Sequence, residues 1–152
     1  MFYKVCALVC ALVLTSAIPT TGQPHQPLLV SKAKHSGICK TWIDQHAKQG
    51  DWVTFRGCDP FQLNGKRSLF FAQLHLTCKK KPRWVKIRLA RLTPTGWDST
   101  GTNSWTLGPS APRKWQGSIW WESKTKWPIV AQYKYGGGSC VSTQRQLKWW
   151  QP

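Results

Sequence analysis

The chain has 152 residues, with 22 Lys and Arg against 5 Asp and Glu, a formal net charge of +17, 11 Trp and 6 Cys. A chain this basic repels itself unless an anionic partner neutralises it, and five carboxylates leave little material for a paired acid–base site. Beyond the first residues no stretch is apolar for long enough to anchor the chain in a bilayer.

In chain order, Met1 to Lys4 form a short basic segment, followed by the apolar "VCALVCALVLTSAI" and then "PTTGQP". This pattern predicts a secretory signal over residues 1–22, cleaved after Ala17 or Gly22, the second being preferred, and an extracellular protein. Without Lys4 the charge is +16. Residues 23–36, with two prolines and little periodicity, read as an extended arm, and 37–152 as a single β-rich domain. Cys6 and Cys10 leave with the signal. Cys39, Cys58, Cys78 and Cys140 remain, an even number in an oxidising compartment, and predict two disulfides. Three pairings are open, with Cys39–Cys58 or Cys58–Cys78 favoured because they close short loops. No pair has C-x-x-C spacing, so neither zinc nor another cofactor is expected.

In "GICKTWIDQHAKQG" the positions Cys39, Trp42, Ile43, His46 and Ala47 have helical spacing and Gly50 is placed to stop the run, which predicts one short N-terminal helix. From Asp51 the period becomes two. "WVTFRGC" alternates, and "SLFFAQLHLTC" puts Phe70, Ala72, Leu74, Leu76 and Cys78 on one face. In "WVKIRLAR", Val85, Ile87 and Leu89 alternate with Lys86 and Arg88. "WQGSIWW" groups Trp115, Ile119 and Trp121, and "WPIVAQY" groups Trp127, Ile129, Ala131 and Tyr133. The segments "NGK", "TPTGWDSTGTNS", "GPSAPRK", "SKTK" and "GGG" read as turns and loops, the last as a flexible connector. The predicted fold is mostly β: a small disulfide-linked antiparallel β-sandwich or barrel with the one helix.

"KKKPRWVKIRLAR" carries seven basic side chains in thirteen positions. Lys79, Lys80, Lys81, Arg83, Lys86 and Arg88 are the candidate polyanion-binding residues. A solvated edge that blocks aggregation would use the same charges. Trp42, Trp115, Trp121 and Trp127 are assigned to the core. Trp84, Trp97, Trp105, Trp120, Trp149 and Trp150 are the candidate contact aromatics, suited to stacking on sugars or bases or to a lipid interface, with internal cation–π pairing as the structural alternative. His35, His46 and His75 are the groups a small hydrolase or nuclease would need. His46 fits the helix's apolar face and His75 a strand, no nucleophile elbow or H-E-x-x-H is present, and an enzyme is not expected. Neither Asn64 nor Asn103 is an N-glycosylation acceptor.

"PHQ" at residues 24–26 and "WVKIRLAR" resemble the receptor-binding part of gammaretrovirus-type envelope surface subunits. That resemblance implies a β-sandwich and receptor binding, although the glycosylation sites and denser cysteines of that family are missing here. Charge and Trp content together predict a secreted binding or host-defence protein. Its expected partners are an anionic polysaccharide such as heparin, an anionic membrane or bacterial surface, or, without sequence preference, nucleic acid. A receptor ligand or decoy is the alternative.

Overall fold

The computed structural model describes residue 30 and residues 32–40 and 52–152. The predicted signal, most of the arm and residues 41–50 of the predicted helix lie outside them. The described chain forms strands β1 (His35–Ile38), β2 (Val53–Cys58), β3 (Arg67–Lys80), β4 (Trp84–Thr93), β5 (Gly96–Thr106), β6 (Lys114–Lys124), β7 (Ile129–Gly136) and β8 (Ser139–Gln151). A helical turn, α1 (Pro60–Leu63), follows β2.

Two four-stranded antiparallel sheets are stacked, one in the order β1-β8-β3-β6 and the other β2-β7-β4-β5. The expected sandwich is therefore present. Its core follows from the period-two pattern: Phe70, Ala72, Leu74, Leu76 and Cys78 of β3 face Val85, Ile87 and Leu89 of β4, and all are buried. Ile119, Ile129, Ala131, Tyr133 and Leu147 complete the layer, with Trp115 and Trp121 packed half-buried against it.

The sheets are stitched on both sides. The Cys39–Cys58 disulfide joins the end of β1 to β2, beside a Gly57 N–H donated to the Lys40 carbonyl at 3.1 Å. On the other side Asn103 Nδ2 on β5 donates to the Ser118 carbonyl on β6 at 3.2 Å, and Trp105 meets Trp115 edge-on at 5.1 Å. The second disulfide, Cys78–Cys140, links β3 to β8. Of the two favoured pairings Cys39–Cys58 forms, and Cys58–Cys78 does not.

Four expectations are corrected. The predicted helix does not start at Gly37: Gly37 and Ile38 pair in β1 with Trp149 and Lys148, and His35 and Ser36, assigned to the arm, belong to the same strand. The helical turn found lies instead at Pro60, where φ is preset, the Asp59 carboxylate accepts from the Phe61 N–H at 2.7 Å, and Asn64 ends it at φ 55. "GWDSTGTNSWT" is not a loop but β5, an edge strand whose polar side chains are acceptable because only one neighbour pairs with it. "GGG" is no flexible connector. Gly137 and Gly138, at φ 69 and 76, form the two-residue turn between β7 and β8.

Candidate functional site

Three connections meet at one end of the sandwich. Lys79 and Lys80 finish β3 and are exposed, Lys81 Nζ donates to the Pro109 carbonyl, and Pro82 is buried. Arg83 leads into β4, its backbone tied to Gly136 and Leu107 by 2.8 Å bonds. Arg113 Nη1 donates to the Lys79 carbonyl at 2.8 Å, and the Arg113 carbonyl accepts from the Cys78 N–H. Lys114 lies opposite Thr77. Against them leans the glycine turn, so closely that a β-carbon on Gly138 would lie 2.6 Å from the Lys80 carbonyl. The result is a rigid basic end bearing Lys79, Lys80, Lys81, Arg83, Arg113 and Lys114.

No described carboxylate shares that end. Glu122 is level with Leu69, near the start of β3, and is paired with Arg67. Asp98 is opposite Arg91 and paired with it, while Asp59 caps α1. Asp44 and Asp51 lie outside the described residues. Cations at the basic end therefore add their fields without local neutralisation.

Lys86 and Arg88, the remaining strip residues, are placed differently. They stand on the outer face of the second sheet, where Lys86 directly opposes Lys134 of β7 and Arg88 opposes Gln132. Like charges directly opposed repel, and tryptophan covers them. Lys86 Nζ is 5.0 Å from the Trp84 ring, while Arg88 and Lys134 lie 4.1 and 5.8 Å from the Trp52 ring. Arg88 Nε also donates to Gln132 Oε1 at 2.8 Å, and Gln132 Nε2 to Thr54 Oγ1 at 3.0 Å. The strip thus splits into a solvated turn and an internally paired strand.

The contact aromatics are largely engaged within the molecule. Trp149 is buried, at 8% exposure, because β8 runs to Gln151 and places Trp149 inward, against Gly37 of β1. Trp97 and Trp105 are half-buried on β5 rather than exposed on a loop. Trp120 packs 4.4 Å from Phe71 and 5.6 Å from Trp150, a half-buried cluster on the outer face of the first sheet. Trp127 reverses in the other sense. Assigned to the core, it is 42% exposed in the β6–β7 connection, since Pro128 delays β7 to Ile129. Trp42 and His46 lie outside the described residues. His35 pairs with Gln151 and His75 with Gln144, seven positions apart along β8, so the structure does not bring them together. No group of three or more His, Cys, Asp or Glu placed to hold a metal ion occurs among the described residues.

Arg113, Lys114, Trp52 and Lys134 were missed by sequence reasoning. Nothing local marks them: the β3–β6 register brings "RK" to "KKK", and the β4–β7 register brings Lys134 to Lys86. Comparison with protein-family models and with curated proteins finds no match to this chain. No helix among the described residues is long and apolar enough to cross a membrane.

Proposed function

We propose that this is a secreted protein that captures anionic polymers, sulfated glycans foremost, through its basic end. The observation that carries the reading is the convergence of Lys79, Lys80, Lys81, Arg83, Arg113 and Lys114 at one end with no described carboxylate beside them. Such a surface attracts a polyanion at long range and releases its counterions on contact. Of the large apolar side chains that are exposed, only Val141 lies nearby among the described residues, which favours surface capture over insertion into lipid. The two disulfides suit an extracellular setting.

The test is elution from immobilised heparin in a salt gradient. Replacing Lys79, Lys80 and Arg83 together by Ser should lower the eluting salt and flatten the salt dependence of affinity, with R113S/K114S adding to the effect. Unchanged retention would sink the proposal.

A second reading is a protein ligand for a cell-surface receptor, through the outer face around Trp52, Trp84 and Arg88. Its support is the cation–π ordering of Lys86 over Trp84 and Arg88 over Trp52, since Trp and Arg dominate interface hot spots. Saturable cell binding that tolerates salt and is lost in W84A would favour it over polyanion capture.

A further inference from the structure

The end opposite the basic end has its own concave surface. There the turn after α1 closes on the β6–β7 connection: Gly65, at φ 65, leaves room for Lys126, whose Cγ would stand 3.1 Å from a β-carbon at that position. Two clefts open on either side of this contact. One, of about 280 Å³, has Lys124, Lys126, Arg91 and Trp127 on its walls, and the other, of about 500 Å³, has Lys66, Arg67 and the buried Gln151. Gly65 and Lys124 belong to both, so the clefts adjoin.

The walls are held in place. Thr125 is buried, its Oγ accepts from the Trp127 N–H at 3.0 Å, and the Leu92 N–H donates to the Pro128 carbonyl at 3.0 Å. Gln151 Nε2 donates to the Leu63 carbonyl at 2.8 Å and to Ser68 Oγ at 3.0 Å, which fixes the floor of the larger cleft. The two arginines are committed to carboxylates, Arg67 to Glu122 and Arg91 to Asp98. Lys66, Lys124 and Lys126 are exposed and have no carboxylate partner among the described residues. Lys124 and Lys126 line the same cleft as the part-exposed Trp127.

We infer that these clefts form a second binding site, for a short acidic sugar, distinct from the basic end. A pyranose ring has one apolar C–H face that packs on a flat indole, while sulfate or carboxylate groups on its rim reach cations placed around the ring. Three lysines distributed over two adjoining clefts suit a disaccharide unit with several charges better than a singly charged ligand. β3 separates this site from the basic end by about 40 Å, at roughly 3.3 Å per residue. One long chain bound at both ends would gain from effective concentration.

The experiment is calorimetric titration of the disulfide-intact protein with a trisulfated heparin disaccharide, against sodium sulfate, an unsulfated disaccharide and adenosine monophosphate. Saturable binding of the sulfated sugar is expected, weakened at least tenfold in K124S/K126S and about tenfold in W127A. The titrations are repeated in a K79S/K80S/R83S background, which removes the basic end as a competing site for the sulfated sugar, and the same losses on adding K124S/K126S or W127A are expected there. Near-ultraviolet circular dichroism confirms that each variant keeps its packing. Sulfate competing as well as the disaccharide, adenosine monophosphate binding more tightly, or affinity unchanged in K124S/K126S and W127A would each overturn the site. The two ends are tested separately: failure of the heparin-column result leaves this titration standing, and the reverse also holds.

Discussion

Gly136, Gly137 and Gly138 are consecutive and serve three purposes. Gly136 has the Trp84 indole lying on it, so a β-carbon there would displace the ring that covers Lys86. Gly137 and Gly138 adopt positive φ, which costs an L-residue about 1–2 kcal/mol in the turn. They differ in surroundings: Gly137 faces only the Arg83 side chain, at 3.5 Å, whereas Gly138 faces backbone at 2.6 Å. G137A should therefore destabilise by about 1 kcal/mol, and G138A by clearly more, because backbone cannot step aside. Urea denaturation of both variants checks the order, and equal losses would mean that the close approach is relieved cheaply. G136A should fall in the range of about 1–3 kcal/mol typical of overpacking.

At the scale of elements, the pairing of β4 with β7 sets Lys86 against Lys134, and Trp52 and Trp84 make that arrangement tolerable. W52A should cost about 1–2 kcal/mol, and more at low than at high ionic strength, since the uncovered Arg88 and Lys134 then repel with less screening. Thermal melts at two salt concentrations measure the difference. The disulfides act on different elements. Cys39–Cys58 closes 19 residues and pins β1, while Cys78–Cys140 closes 62 and joins two long central strands. C39S/C58S should speed amide exchange selectively at β1, including the Cys39 N–H bonded to Leu147, and leave the β3–β8 ladder protected. The C78S/C140S pair should cost more stability, by about 1 kcal/mol on loop length alone.

For the molecule as a whole, charge and architecture are separate matters. Five carboxylates cannot neutralise 22 cations, and all three described ones lie away from the basic end. Folding gathers that charge into a small volume, so anions should raise the melting temperature. If the basic end captures anions as proposed, sulfate or a heparin oligosaccharide should do so at concentrations where chloride does little, because a ligand that prefers the folded end stabilises it. Differential scanning fluorimetry in matched ionic strengths decides this, and equal shifts for all salts would reduce the effect to general screening.

The alternation of apolar residues determined which face of β3, β4, β6 and β7 joins the core, and the even cysteine count anticipated two bridges. Those features are local, or nearly so: period two is a property of a single strand. Which residues meet across strands is not. β5 was hidden because an edge strand needs only one partner and no apolar run. From the sequence Trp149 reads as a contact aromatic because the strand that covers it lies more than a hundred residues earlier. Likewise Arg113 and Lys114 reach Lys79 through the β3–β6 register, and Trp127 reaches solvent because Pro128 delays the next strand. Composition determined that this protein carries excess cations and tryptophan. Only strand pairing decided which cations stand free and which tryptophans are already occupied, since register, a property of the hydrogen bonding between two strands, sets every such neighbour at once.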